Sequence, residues 1–287
     1  MASEWTIYEQ DCIAGIAEHV KPGSIDVIVT SPPYNIGKAY SQYDDSKEEG
    51  KYLEWMAGFS AAAAGALSRK GSFFLNLGGK PSDPGWPIRV LEMFRKDFHL
   101  QNTILWVKSI AIDLEDAGPN PAIREGIAVG HYKPVNSDRY LNPMSEYVFH
   151  LTKEGDVPLD KLSIGVPYQD KTNVGRWARV KSDLRDRGNV WFIPYDTINR
   201  SRPHPCVFPV KLPTMCIKLH GRAKTKLVLD PFVGTGSTGV ACRELGVGFI
   251  GFDIDPEYAR LARHAVLEIR GEPTGDGEIE SDPSPER

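Results

Sequence analysis

The chain has 287 residues, 41% of them hydrophobic and 25% charged, a composition that fits one large globular domain with an insertion or two small domains. It contains no run of about 18 apolar residues, which excludes a membrane-spanning helix, and its start, MASEWTIYEQDC, lacks the basic and apolar segments of a secretory signal. The net charge of −4 is uneven: residues 271–287 hold six acids and one base, so the body stands near +1 and a polyanionic partner is not excluded.

Apolar, β-branched runs predict strands near Trp5–Glu9, Ile25–Thr30, Ser72–Leu77, Thr103–Val107, Tyr147–Leu151, Lys226–Leu229 and Gly248–Asp253. Helical patterns lie between them at Glu48–Leu67, Pro84–Lys96, Ser237–Leu245 and Pro256–Arg270. That alternation predicts an α/β fold with a mostly parallel, doubly wound sheet. Two long stretches, Ser109 to Pro143 and Thr152 to Pro205, interrupt it, and connections of that length carry function or form an accessory unit. The tail from Gly271 is acidic, rich in Pro, Gly and Ser, and predicted to be disordered. Cys12, Cys206, Cys216 and Cys242 are scattered without a C-x-x-C pair, so they read as packing residues of a reducing cytoplasm, with no metal site expected.

The strand ending at Thr30 stops on Ser31-Pro32-Pro33-Tyr34. Two prolines continue neither a central strand nor an ordinary helix interior, so the chain must make a rigid elbow there. That elbow is either a plain turn with an exposed tyrosine or a device presenting one hydroxyl and one aromatic ring.

A second motif follows the strand ending at Asp230: Pro231-Phe232-Val233-Gly234-Thr235-Gly236, with Ser237 and Thr238 opening the next helix and Asp253 ending the next strand. Gly234, Gly236 and Gly239 match G-x-G-x-x-G, so a dinucleotide enzyme has to be weighed. In that fingerprint a glycine follows the strand directly, because the pyrophosphate must reach the helix N-terminus. Here Asp230 intervenes. Its carboxylate would repel a pyrophosphate and suit the ammonium and sulfonium of S-adenosylmethionine, while Asp253 could accept both ribose hydroxyls. A structural strand–turn–helix with capping acids is the alternative.

Together, Ser31-Pro32-Pro33-Tyr34 and Asp230-Pro231-Phe232-Val233-Gly234-Thr235-Gly236 resemble the amino-group DNA methyltransferases of bacterial modification systems. The elbow precedes the glycine loop, the circularly permuted order of the β class, and the resemblance spans most of residues 5–270. It implies a Rossmann-like methyltransferase fold, S-adenosylmethionine as cofactor and double-stranded DNA as partner in a bacterial, archaeal or phage cytoplasm. A cognate restriction endonuclease and a homodimer are further partners the family allows. Ser31 and a carbonyl of Pro32 would accept the two N–H groups of the target amine, Pro33 would stiffen the elbow, and Tyr34 would stack on a base flipped from the duplex. Serine in the first position points to cytosine N4, where an acid is usual in adenine-N6 enzymes. Asp11 and Cys12 match the position beside the cofactor adenine, with a helix N-cap as the alternative for Asp11. His204 and Phe208 would flank the methionine end. Asn76 and Leu77 either line the pocket or belong to the core. Cys206 lies before Phe208-Pro209 and reads as structural, which argues against a C5-cytosine enzyme. An RNA or protein methyltransferase and a catalytically silent DNA-binding module remain alternatives.

The resemblance divides the chain into a catalytic half (1–151), a target-recognition region (152–203), a cofactor half (204–270) and the tail (271–287). Lys171, Arg176, Arg179, Lys181, Arg185 and Arg187, interleaved with Trp177, fall in the recognition region and suit phosphate contact and base readout. A solvated charged face is the alternative. The other long stretch, Ser109 to Pro143, with Arg124, His131, Lys133 and Arg139, could also reach DNA.

Overall fold

The computed structural model describes residues 5–116, 118, 123–130, 135–176, 182–194 and 207–268. Ten strands and six α-helices occur among them: β1 (Trp5–Glu9), α1 (Cys12–His19), β2 (Ile25–Thr30), α2 (Glu49–Ala66), β3 (Leu67–Leu77), α3 (Trp86–Phe94), β4 (His99–Val107), β5 (Ile110–Ile112), β6 (Ile127–Val129), β7 (Ser145–Thr152), β8 (Val190–Phe192), α4 (Lys211–His220), β9 (Leu227–Asp230), α5 (Ser237–Leu245), β10 (Gly248–Asp253) and α6 (Pro256–Glu268). None of these helices is long and apolar enough to cross a membrane.

Eight strands form one sheet in the order β1-β10-β9-β2-β3-β7-β4-β8, and β5 and β6 form a separate antiparallel pair. From β1 to β3 every pairing is parallel, and β4 pairs in parallel with β8. Only β7 runs antiparallel, between β3 and β4. The α/β class and the mostly parallel sheet predicted from the sequence are therefore present.

Parallel strands covered on both faces read as continuous apolar runs, and β2 does: five of its six residues are buried. Val27 and Val29 face a core shared with α4, α5 and α6, while Ile25 and Ile28 face one shared with α1, α2 and α3. Burial of this kind contributes roughly 1.5–3 kcal/mol per large apolar side chain.

Three differences from the sequence reading have local causes. Strand β3 begins at Leu67 and not Ser72, because Leu67 caps α2 in extended backbone and the chain enters the sheet at once. Helix α1 was anticipated only through Asp11 as an alternative N-cap; its eight residues include Gly15 and make a weak periodic signal. Strand β8 lies inside the expected recognition region but hydrogen-bonds to β4, so that region is not detached from the sheet. The tail lies outside the described residues.

The topology positions the site. From β9 the chain steps to β10, toward the β1 edge, whereas from β2 it steps to β3, away from it. Strand order reverses between β9 and β2, and in open α/β sheets ligands sit beyond the carboxyl ends of the strands at such a reversal.

Candidate active site

A cavity of about 400 Å³ opens there, within the size range of sites for ligands of a few hundred daltons. All four elbow residues, Ser31, Pro32, Pro33 and Tyr34, line it beyond β2. Its other wall consists of Pro231, Phe232, Gly234, Thr235 and Ser237 beyond β9, and Asp253 at the end of β10. Asp11, Cys12 and Phe208 also line it. The two motifs, nearly 200 residues apart in sequence, share one space.

The elbow is held from several sides. The Pro33 carbonyl accepts from the Tyr52 hydroxyl at 2.7 Å, and the Tyr34 carbonyl from the Trp86 indole N–H at 2.5 Å. Among the described residues none donates to the Pro32 carbonyl. Asn35 sits in the left-handed region at φ 58°. Its backbone N–H and those of Ile36 and Lys38 converge on the carboxylate of buried Asp45, at 2.7–3.1 Å. That knot fixes the connection from β2 to α2, whose Tyr40, Tyr43 and Lys47 form a further wall of the cavity.

Side chains on the elbow face a polar network that the sequence did not reveal. Ser31 Oγ lies 2.7 Å from the Tyr34 hydroxyl, which donates to Glu146 Oε2 at 3.0 Å. Asn76 Nδ2 donates to Tyr34 at 2.6 Å and to Glu146 at 2.8 Å. Lys108 Nζ closes the chain on Glu146 Oε1 at 2.8 Å. Burial pushes the Glu146 carboxyl up, but the Lys108 ammonium and the hydrogen bonds outweigh it, so its pKa falls below the ordinary glutamate value. Asn76, left open between pocket and core, touches the elbow from beneath. Glu146 and Lys108 lie just outside the predicted strands, and only the pairing of β4 with β7 brings them to the same end of the sheet.

The glycine-loop wall is pinned by carboxylates. Asp253 Oδ2 accepts the Gly234 N–H at 2.9 Å and Oδ1 accepts that of Asp255 at 2.9 Å. Burial raises the Asp253 pKa to about 6. Gly236 has φ 97°, and a Cβ there would sit 2.9 Å from the Ala262 Cα of α6, so glycine is required for the loop to pack against that helix.

Several expected positions are corrected. Asp230 does not line the cavity. It is 1% exposed, and its oxygens accept from the Thr30 and Thr238 hydroxyls at 2.5 and 2.6 Å and from the Phe232 N–H at 3.1 Å. It ties β2, β9 and α5 together beneath the loop instead of facing a cation. Gly236 and Thr238 likewise lie outside the lining, turned respectively to α6 and to Asp230. Asp11 is the N-cap of α1, accepting from the Ile13 and Ala14 N–H groups, each at 3.0 Å, and it also lines the cavity. The neighbouring Cys12 thiol, raised first by burial and then by the Asp11 charge, is neutral. His204 and Cys206 lie outside the described residues.

None of the expected DNA-contacting residues that the structure describes lines the cavity. Lys171 is ion-paired with Asp183, and the Arg187 guanidinium is turned to the Ile164 carbonyl at 2.8 Å. Arg176 and Arg185 bond the neutral oxygens of Asn173 and the Asp186 backbone, at 3.0 and 3.2 Å. Trp177, Arg179 and Lys181 lie outside the described residues, as do His131 and Lys133.

Comparison with known proteins agrees with this architecture. The type II methyltransferase M.HpaI of Haemophilus parainfluenzae is 27% identical over 256 residues, spanning 87% of this chain and 70% of that protein. The solved structure of PvuII DNA methyltransferase, cytosine-N4-specific, superposes with a TM-score of 0.65 at 20% identity, covering 95% of this chain and 89% of the other. The solved complex of M1.HpyAVI with S-adenosylmethionine gives 0.54 at 21% identity, covering 90% and 98%. The model of the N6_N4_Mtase family, described as DNA methylase, matches residues 25–264. The chain belongs to that family of amino-group DNA methyltransferases.

Proposed function

We propose that this DNA methyltransferase moves the methyl group of S-adenosylmethionine to the exocyclic N4 of a cytosine flipped out of duplex DNA. The observation that carries the reading is the single cavity onto which both the Ser31–Tyr34 elbow and the Gly234–Asp253 wall open.

The residues present fit the cofactor. The Asp253 carboxylate faces the cavity with one backbone N–H on each oxygen, leaving lone pairs for two ribose hydroxyls. Phe232 and Trp55 give aromatic walls, and Asp11 and Cys12 close the end assigned to the adenine. When bound, the cofactor supplies an electrophilic methyl on a sulfonium.

The protein's own part is to make an unreactive amine receptive. An exocyclic amino nitrogen delocalises its lone pair into the ring. Ser31 Oγ and the Pro32 carbonyl, accepting its two N–H groups from one side, draw the nitrogen toward tetrahedral geometry and free that pair. The elbow holds both acceptors without reorganisation, which is where preorganised polar groups act most strongly, and the Tyr34 ring gives the base a face to stack on. Serine in the first position supports cytosine over adenine. The elbow-first motif order supports the permuted β class. We assign residues 1–151 and 204–270 to the two halves of the catalytic domain and 152–203 to target recognition, with Arg176 and Arg185 as its described candidates for phosphate contact. Incubating duplex DNA with protein and S-adenosylmethionine, then digesting to nucleosides for mass spectrometry, tests the reading. N4-methylcytosine is expected; N6-methyladenine would overturn the base assignment, and unmodified DNA the function.

A further inference from the structure

We propose that Glu146 is a positioning residue for methyl transfer: acting through the Tyr34 hydroxyl, its charge turns the Ser31 proton away from the cavity, so that the serine meets the target amine as an acceptor. This rests on the functional reading above and adds to it a residue on a different strand.

A serine hydroxyl can donate or accept, and the geometry of Ser31 alone does not say which. Its surroundings do. The Glu146 carboxylate, kept ionised by Lys108 at 2.8 Å, can only accept. Tyr34 donates its one proton to Glu146 Oε2 at 3.0 Å. The phenol oxygen is then an acceptor toward its other neighbours, Asn76 Nδ2 at 2.6 Å and Ser31 Oγ at 2.7 Å. Ser31 must therefore be the donor in the bond to Tyr34. Its lone pairs are left for an incoming N–H, since the Asn76 contact to Ser31, at 3.4 Å, is long for a hydrogen bond.

Glu146 fixes the Asn76 amide as well. The opposite orientation would set a carbonyl oxygen 2.8 Å from a carboxylate oxygen. The amide stays as it is although its Oδ1 is buried without a partner. Room for this arrangement comes from Gly78, where a Cβ would lie 2.9 Å from the Tyr34 ring and 3.1 Å from the Glu146 carboxyl carbon. With a neutral group in place of Glu146, the tyrosine proton can turn toward Ser31 and the serine proton toward the cavity. That sets a donor against a donor, the wrong polarity for an amine.

The test is single-turnover methyl transfer at saturating S-adenosylmethionine and duplex DNA, with dissociation constants for both, in Glu146→Gln, Tyr34→Phe and the double variant. We expect each single change to slow transfer on the order of 10²-fold, the scale of one preorganised polar contact, with both dissociation constants within about twofold of wild type. The double variant should be no slower than the slower single, because both changes break one chain. Wild-type rates in either single variant, or a double slowdown equal to the product of the singles, would overturn the inference. Tyr34→Phe leaves the Lys108–Glu146 pair intact and carries the test alone if Glu146→Gln does not fold. If the unsubstituted protein moves no methyl group to DNA, the functional reading falls and this inference with it; if it does and the variants keep pace, only the inference falls.

Discussion

Asp230 and Glu146 are both carboxylates enclosed at strand ends beside one cavity, yet their surroundings drive them in opposite directions. Asp230 is held by two hydroxyls and one backbone N–H, and burial raises its pKa to about 6. Glu146 is held by an ammonium, an amide and a phenol, and its pKa falls despite burial. Neutral donors satisfy an anion's hydrogen bonds without compensating its charge; a cation at 2.8 Å does both. The glycine-loop wall is thus tied by a knot that can take up a proton, whereas the elbow wall keeps a lasting charge next to its serine.

The largest effect that would break this contrast comes from Lys108→Met, which leaves Glu146 enclosed without its cation. A loss of about 3 kcal/mol in unfolding free energy is expected from urea denaturation; a change below roughly 1 kcal/mol would mean the ion pair is not what holds the elbow wall. On the other wall, Asp253→Asn keeps the shape but removes the charge. Cofactor affinity should weaken by roughly 1.5–3 kcal/mol, and calorimetry showing unchanged affinity would remove Asp253 from the cofactor site. Asparagine is preferable to alanine because its carbonyl oxygen still accepts one of the Gly234 and Asp255 N–H groups that the Asp253 oxygens hold.

A smaller effect concerns pH. With its folded pKa raised to about 6, Asp230 binds a proton in the native state that the unfolded chain lacks between about pH 4 and 6. Its contribution to stability therefore grows as pH falls through 6. His150 and His220 share the Ser72 hydroxyl beneath the sheet, and burial lowers their pKa values to about 3 and about 4. The unfolded chain takes up protons there that the native state refuses, so stability is lost as pH falls below 6.5. The two trends oppose each other. In Asp230→Asn the Tm should fall more steeply between pH 6 and 4 than in wild type; parallel curves would show that Asp230 does not titrate in that range. The smallest effect is expected at the surface. Because Lys171 is already paired with Asp183, Lys171→Ala should change the log–log salt slope of DNA binding by well under the roughly 0.9 of one phosphate contact. A change of a full contact would show that DNA breaks that pair.

What was legible in the sequence follows the same physics. Strands β2 and β10 match their predicted bounds because each is a mostly apolar run with a sharp end, at Ser31-Pro32 for β2 and at Asp253 for β10. The elbow and the glycine loop were legible because their chemistry is local: proline fixes φ, and glycine reaches positive φ. Strand direction is not local, so nothing in Tyr147–Leu151 distinguished the antiparallel β7 from its parallel neighbours. Glu146 meets Tyr34 across 112 residues and Lys108 meets Glu146 across 38, through the β3–β7 and β4–β7 registers. Asp230 shows the converse limit: its place at a strand end was correct, but which side of the sheet the carboxylate faced depended on Thr30 and Thr238.

The proposed function assigns the cofactor to one wall of the cavity and the target amine to the other. Ser31→Ala tests it most directly, since it removes one acceptor and leaves Tyr34, the Pro32 carbonyl and the Asp253 wall in place. The measurement is the single-turnover rate of methyl transfer, read with the S-adenosylmethionine dissociation constant on the same sample. The prediction is a rate lower on the order of 10²–10³-fold with cofactor affinity unchanged. A wild-type rate, or a loss of cofactor binding that accounts for the slowdown, would contradict it.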